Sequence, residues 1–289
     1  MRYSFIRQHR GQFRLAALCR VLRVSTSGFF AWLKRPESSR IQQNRALVTR
    51  IKAAHEGSRR TYGRRRIHAQ LRRDGVVCSP NRVGRLMRRH GLQGLRRRRF
   101  KATTNSKHSL PVAENLLARD FTAAAPDQVW VSDITYLGCQ EGWEYLATVM
   151  DLYSRRIVGW AMQSTLDRSL TLNALQMAIS QRRPGPGLIH HSDRGVQYAC
   201  GDYQTALNQQ QMIPSMSRKG DCWDNAPGES LFGTLKCELG LHGLKPSRQQ
   251  AHRTVFEYIE VFYNRQRLHS SLGYLSPAEF EAAVRAEAA

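Results

Sequence analysis

The sequence predicts an α/β domain, a mixed sheet with helices on both faces, preceded by an all-α basic region. Three observations carry that expectation. The first is the order of apolar patterns after residue 126: three strand-like runs, then helix, strand, helix, strand, helix. The second is charge. Residues 1–120 hold 30 Lys and Arg against 5 Asp and Glu, whereas residues 121–289 hold 15 against 17. The third is a set of three carboxylates in unlike settings: Asp133 in VWVSDITYL, Asp193 in LIHHSDRGVQY and Glu229 in CWDNAPGESLFGTLK.

Residues 14–34 read as a small helix-turn-helix. Leu15, Leu18 and Leu22 recur at helical spacing, Val24-Ser25 makes the break, and Ser25 is placed to cap a second helix bearing Phe29, Phe30 and Trp32. Pro36 ends it. Residues 41–57 form one further helix, with Leu47, Val48, Ile51 and Ala54 as its stripe. A second helix-turn-helix pattern fills residues 59–94. Its first helix turns Ile67 and Leu71 inward and Arg64, Arg65 and Arg72 outward, and Asp74-Gly75 is the turn. Ser79 at the N-cap and Pro80 at the first position open the next helix. Val83, Leu86 and Met87 face its core, Arg82, Arg85 and Arg89 face away, and Gly91 fits the C′ position. An apolar back with an arginine front suits a helix lying in a DNA groove against phosphates. The plainer alternative is a solvated basic helix. Residues 95–125 lack periodicity and read as a linker, with a domain boundary near 120.

From 126 onward, QVWVSDITYL, EYLATVMDLYS and RRIVGWAMQS read as an antiparallel meander turning at Gln140-Glu141-Gly142 and again around Ser154-Arg155-Arg156. A helix over about 167–181 follows, ended by PGPG. GLIHHSD is a short buried strand. Then come a helix (201–211), the strand PSMSR, a helix (225–239), a last helix over about 247–266, and the tail RLHSSLGYLSPAEFEAA. The expected division is 1–40, a small helix-turn-helix; 41–100, a basic DNA-binding region; 101–125, a linker; 126–240, the catalytic core; and 241–289, a helix and tail completing it.

The net charge of +23 lies wholly in the first part, and its natural partner is a polyanion, nucleic acid first. Six cysteines, at 19, 78, 139, 200, 222 and 237, include no C-x-x-C pair. Cys237 and His242 find no second pair to complete a zinc site, so the thiols read as reduced and structural in a cytosolic protein. No apolar run approaches the ~20 residues that cross a bilayer. The start, MRYSFIRQHRGQF, lacks the apolar stretch of a signal peptide. No membrane role is expected.

Asp is poorly tolerated in mid-strand, where Asp133 stands, and a buried carboxylate is costly unless a cation neutralises it. The plain reading is an edge residue facing water. Asp193, alone, would be an ordinary Asp-X-Gly turn, but sites in α/β sheets gather at strand ends. Glu229 follows Asp224 and Asn225, either of which can cap its helix, and the positive helix end there favours its ionised form. Alone, it would simply complement the dipole. Lys236, seven positions on, shares its face, though alone it would be a surface lysine. Asp151 reads as structural, Asp221 competes as a site carboxylate, and His190 and His191 read as hydrogen-bonded packing. Three acids from two strands and a helix make a hard oxygen cage for Mg²⁺, and two such ions suit phosphoryl transfer.

Further motifs accompany the acids: YGRRRI at 62–67, DLYSRRIVGW at 151–160, SRKGDCWDNAPGESLFGTLKCE at 217–238 and YNRQRLHSSLGYLSPAEF at 263–280. With WVSDITYL and HHSDRGVQY, they make nearly the whole chain resemble the second-frame (OrfB) transposases of the IS-three insertion-sequence family. The resemblance implies an RNase H-like, integrase-type core on a five-stranded mixed sheet. It puts the catalytic and metal-binding triad on Asp133, Asp193 and Glu229, with two Mg²⁺ (or Mn²⁺) ions bridged by Asp133, and sets Lys236 against element-end DNA. Asn225 and Arg194 are further candidate DNA contacts in the core, beside Arg64, Arg65, Arg82, Arg85 and Arg89 in the basic region. The implied reaction is hydrolysis that frees a 3′-OH, then attack of that hydroxyl on a second phosphodiester. The implied partners are double-stranded DNA (element ends and target), further copies of the chain and a first-frame (OrfA) protein, in the cytoplasm of a prokaryote at its nucleoid. A nuclease that only hydrolyses and a non-enzymatic DNA-binding regulator are the rival expectations.

Overall fold

The computed structural model describes residues 1–95, 110–219, 221–240 and 245–287. The chain separates into two compact units, Met1–Ala53 and Ala54–Ala289. The first holds α1 (Arg2–His9), α2 (Leu15–Val21), α3 (Thr26–Lys34) and most of α4 (Ser39–Gly57). Ser25 caps α3, its hydroxyl accepting the Gly28 N–H at 3.0 Å. Ile6, Cys19 and Phe29 form its buried centre, with Tyr3, Leu18 and Trp32 packed round them. The sequence pattern did not announce α1. Its only buried side chain is Ile6, too little to make a periodic stripe.

The second unit opens with α5 (Arg64–Arg73) and α6 (Pro80–Arg89). Ser79 caps α6 by accepting the Arg82 N–H, and Gly91 takes the left-handed conformation that ends it. Ile67, Leu71, Val83, Leu86 and Met87 are all buried. The pair is docked on the rest of the unit. The Leu268 N–H donates to the Tyr62 hydroxyl at 2.7 Å, and Arg73 pairs with Glu279. Of the expected linker, 101–109 lies outside the described residues. Residues 110–125 carry no helix or strand, yet Leu117 is buried and the Leu116 N–H donates to Ser215 Oγ at 3.0 Å.

The sheet comprises β1 (Val129–Cys139), β2 (Gly142–Asp151), β3 (Ile157–Gln163), β4 (Ile189–Ser192) and β5 (Ile213–Met216), in the order β3-β2-β1-β4-β5. The first three form the antiparallel meander that their alternation implies. β4 lies parallel to β1, and β5 parallel to β4. The helices are α7 (Arg168–Arg182), α8 (Val196–Ala199), α9 (Gly201–Gln209), α10 (Ala226–Glu238), α11 (Arg248–Phe256) and α12 (Pro277–Glu287).

One face of the sheet shares a core with α7 and α9, through Trp130, Val149, Leu170, Leu175, Tyr203 and Leu207. The other face meets α10 and α11. The Trp160 indole N–H donates to Glu260 at 2.9 Å, and buried Glu144 takes both Arg248 and His252. This is the mixed five-stranded sheet, helices on both faces, that the sequence predicts.

Two features of the last fifty residues differ from expectation. The helix foreseen over 247–266 passes after Phe256 into a π-helical turn, Glu257–Tyr263, which buries Tyr258, Ile259, Phe262 and Tyr263. The widened turn lets four large side chains face the core in succession. The expected tail contains α12, which is tied down from afar: Glu281 receives Arg156 and Arg182, each at 2.9 Å.

The approach of α7 to β3 leaves no room for a side chain at Gly159. A Cβ there would lie 2.2 Å from the Ala174 carbonyl oxygen. Gly159→Ala is therefore expected to lower the unfolding free energy by about 1–3 kcal/mol, read from urea denaturation, as overpacking does elsewhere.

Candidate active site

Asp133 lies in the middle of β1, paired with Thr148 of β2. The parallel register of β1 and β4 sets Val131 beside His191, so two residues further on the chain brings Asp193 abreast of Asp133. The Gly195 N–H holds Asp193 by donating to its Oδ1 at 2.9 Å. α10 seats directly on Asp133 through a glycine. A Cβ on Gly228 would fall 2.8 Å from Asp133 Oδ2 and 3.0 Å from its Cβ. Glu229 is the next residue, exposed in the first turn of α10, and Lys236 follows on the same face, half-buried.

The electrostatics show that these groups share one neighbourhood. Although a strip of Asp133 reaches solvent, protein surrounds its carboxyl, and burial pushes its pKa well above the usual carboxylate range. The nearby charges of Asp193 and Glu229 raise it further. The Ile134 N–H, donating to Oδ1 at 2.8 Å, and the Lys236 charge act the other way. Burial also raises Glu229, so desolvation outweighs the ionising effect expected of the helix end. Lys236 is lowered by burial and lifted by Asp133.

The start of α10 departs from the expected cap. Asn225 occupies the N-cap position but makes no side-chain cap bond. Its Oδ1 is buried with no hydrogen-bond partner among the described residues and lies 3.1 Å from the place a Gly228 Cβ would take. Asp224 does not cap α10 either. It anchors the 3₁₀ turn Cys222–Asn225 ahead of that helix. Its fully buried carboxylate accepts from Arg218 Nη2 at 2.8 Å and Nε at 2.9 Å, from Arg119 Nε at 3.2 Å and from Asn115 Nδ2 at 2.9 Å. Arg218 above all holds this carboxyl far below the usual range. Sequence reasoning missed this anchor. The only local signal was the spacing from Arg218, because Asn115 and Arg119 lie about a hundred residues earlier.

Other acids and histidines in the sheet are structural. Asp151 accepts from the Ser154 N–H and hydroxyl and from the Asp127 N–H. Asp221 accepts the Trp223 N–H and pairs with Arg119. His190 bonds Ser132 and Tyr203, and His191 bonds Ser215 and the Asp224 carbonyl. Burial lowers both imidazoles, His190 to about 3 and His191 to about 4, so both are neutral near pH 7.

Arg194, next to Asp193, is half-buried and donates from Nε to the Ser217 carbonyl. The remaining candidate DNA contacts form a second group. Arg64, Arg65, Arg85 and Arg89 are exposed on α5 and α6, and Arg82 is half-buried. A cavity of ≈ 360 Å³ beside them is lined by Arg64, Arg65, His68, Arg72 and Tyr274.

Among the described residues, no three His, Cys, Asp or Glu side chains close into a metal-holding group. The donor chemistry nevertheless fits a hard cation. The acids are oxygen donors, and burial and their mutual repulsion raise Asp133. Asp133 Oδ2 and the Asn225 oxygen, the latter without a hydrogen-bond partner among the described residues, lie 2.8 and 3.1 Å from the vacant Cβ position of Gly228.

Known proteins bear on this arrangement. The Integrase core domain family matches residues 123–222, a second Integrase core domain family matches 210–277, and an HTH-like domain family matches 42–100. An uncharacterized 31 kDa protein of insertion element IS600 from Shigella sonnei is 48% identical over 263 residues, covering 91% of this chain and 97% of that protein. Transposase InsF of insertion sequence IS3A from Escherichia coli (strain K12) is 44% identical over 284 residues, covering 97% and 98%. The chain belongs to the IS3 transposase family. It is a DNA transposase, an enzyme of the polynucleotidyl transferase class with an integrase catalytic core and a helix-turn-helix-like DNA-binding region. Among solved structures, the HTLV-2 integrase catalytic core in complex with magnesium is similar at a TM-score of 0.44 and 14% identity, covering 55% of this chain and 99% of that one. A chain of the simian T-cell lymphotropic virus intasome reaches 0.47 at 15%, covering 80% and 74%. No described helix of the transposase is long and apolar enough to cross a membrane.

Two variants test how the site is built. Gly228→Ala is expected to lift α10 from Asp133 and lower DNA strand joining about 100-fold with an unchanged circular dichroism spectrum, since a small misplacement carries that cost. Asp224→Asn is expected to lower stability at pH 7 by about 1.5–3 kcal/mol. The folded-state pKa of Asp224 is depressed, so the wild-type advantage is present above the ordinary carboxylate pKa. Acid titrations of unfolding should show the two proteins converging as pH falls below about 4.

Proposed function

We propose that Asp133, Asp193 and Glu229 are the catalytic acids of this transposase and are the residues that would hold two Mg²⁺ (or Mn²⁺) ions. The observation that carries this reading is the seat of α10 on Asp133, which brings the charge of Glu229 to a buried carboxyl that also feels Asp193. Such an arrangement is unfavourable for a protein alone and suited to divalent cations. When bound, the ions supply Lewis-acid charge stabilisation and a more acidic attacking oxygen.

The chain's own groups position the DNA. Lys236 offsets part of the acid charge and lies against the element-end phosphates, with Asn225 and Arg194 flanking the same strand. Arg64, Arg65, Arg82, Arg85 and Arg89 hold the duplex on α5 and α6, chiefly through phosphates, so binding weakens steeply with salt. Water attacks the phosphodiester at the element end and frees a 3′-OH. That hydroxyl then attacks a second phosphodiester in line, joining one end to the other before the circle integrates. No covalent bond to the protein forms. Residues 1–40 and 41–100 serve recognition, 101–125 connects them to the core at 126–240, and 241–289 completes that core. Several copies act together, since two ends must be held, and a first-frame protein contributes a further DNA-binding helix-turn-helix. The place of action is the prokaryotic nucleoid.

The test is a strand-transfer reaction with purified protein, Mg²⁺ and labelled DNA carrying the element's ends. Joined products are expected from wild type and at least 1,000-fold less from Glu229→Gln, with DNA binding retained, because the acid acts on the chemical step. Cleavage without joining would instead assign the chain to the hydrolytic nucleases.

A further inference from the structure

The face of α10 turned away from Glu229 borders a cavity of ≈ 580 Å³. Pro227, Ser230, Leu231, Thr234 and Glu238 line it and recur at steps of three and four, so they share one side of the helix. Glu229 and Lys236 lie on the opposite side, across a helix about 10–12 Å wide. The cavity is therefore separate from the acids.

Its walls carry three arginines from three segments: Arg66 of α5, Arg155 of the β2–β3 turn and Arg267 beyond the π-helical turn. One carboxylate faces them. Glu238 accepts from Arg267 Nη2 at 2.7 Å and Nε at 2.8 Å, and from the Tyr258 hydroxyl at 2.8 Å. Arg66 Nη1 stands 3.6 Å from the same carboxylate. Arg155 is half-buried and donates to the Phe121 carbonyl at 3.4 Å, with no carboxylate in ion-pair range among the described residues. Three guanidinium groups thus line the cavity with one carboxylate, and the charge of Asp151, outside the lining, also acts on Arg155. His269 does not change the balance. Its Nε2 lies 3.3 Å from Arg267 Nη1, and burial with the charges of Arg267, Arg66 and Arg155 keeps the ring neutral. All three arginines and His269 line the same cavity. The hydroxyls of Ser270 and Ser271 also line the cavity, whereas those of Thr61 and Thr234 donate to the Ser58 and Ser230 carbonyls.

Partly buried guanidinium groups in excess of their carboxylates are costly without an anion. Planar forks with hydroxyl donors match the oxygens of a phosphate. We propose that this cavity is a phosphate-binding site that takes a phosphate of bound DNA other than the one undergoing reaction. The DNA arm rests on the transposase reading, whereas the phosphate chemistry stands without it. A phosphate held there fixes the duplex to α5, α10 and the C-terminal segment together.

The experiment measures binding by the full chain in EDTA, so that no catalysis enters. Fluorescence anisotropy with an element-end duplex is followed across a KCl series, and calorimetry follows inorganic pyrophosphate. The Arg66→Gln/Arg155→Gln double variant is expected to flatten the slope of log K against log salt by about 1–2, for any DNA sequence, and to abolish pyrophosphate binding. Arg66→Lys/Arg155→Lys should restore the slope. Thr234→Asp leaves every arginine in place but sets a carboxylate in the cavity. It should weaken pyrophosphate binding at least tenfold, which keeps the test decisive if the double variant does not fold. Loss of pyrophosphate binding with an unchanged DNA slope would assign the site to a free phosphate compound in place of DNA. Wild-type failure to bind pyrophosphate, together with an unchanged slope, would overturn the proposal. A failure of wild-type strand joining would count against the transposase chemistry and leave these equilibria as they are.

Discussion

The structure depends on the contact between Gly228 and Asp133. A strand and a helix normally pack about 10 Å apart, with side chains between them. Here the missing Cβ lets the backbone of α10 rest on a carboxylate, leaving 2.8 Å between the vacant Cβ position and Oδ2. This closeness carries Glu229 and Lys236 into the field of Asp133, which the sheet has already placed abreast of Asp193. Three acids from distant parts of the sequence thus become one electrostatic unit. Burial and like charge both raise Asp133 within that unit, and the proposed cations would relieve it.

Holding a helix on a charge requires an anchor outside the helix. Asp224 supplies it. Its carboxylate gathers Arg218, Arg119 and Asn115, and its carbonyl accepts from His191 on β4. The segment before β1, the strand leading to Asp193 and the turn leading to Glu229 all meet at this residue. The Asp224 carboxylate is fully buried while Arg218 and Arg119 keep about half their surface in solvent, so the anchor draws charge from the surface onto one buried acid. The neutral His190 and His191 fill the strand next to the acids without adding charge.

Much of this was legible in the sequence, for local reasons. The β1–β3 meander follows from alternating apolar runs, the Ser25 and Ser79 caps from side-chain oxygens that reach a backbone N–H three residues on, and Asp133 from the anomaly of a charge in mid-strand. What stayed hidden depends on partners far away in the chain. α12 is fixed by Arg156 and Arg182, the first more than a hundred residues upstream. The role of Asp224 needs Asn115 and Arg119. Asn225 looked like a helix cap from its neighbours, whereas packing against Gly228 and Asp133 leaves its oxygen buried and unbonded. Glu229 was expected to ionise easily at a helix end, but desolvation by surrounding protein reverses the balance. In each case tertiary packing overrides a rule that reads only a few residues at a time.

α10 is loaded on both sides, and the two loads are opposite in sign. One face carries acids in excess of their counter-charges, and the other borders arginines in excess of theirs. A protein selected for stability alone would pair such charges or replace them with apolar groups. Leaving both unbalanced across the width of one helix costs stability. On the proposed readings, cations on one side and phosphates on the other would recover it. Nucleic acid with divalent ions brings both at once. Because α10 is seated on β1 through Gly228, a phosphate in the proposed cavity would steady the same helix that presents Glu229. Substrate binding and the alignment of the acids are then a single event, with α10 as the part they share.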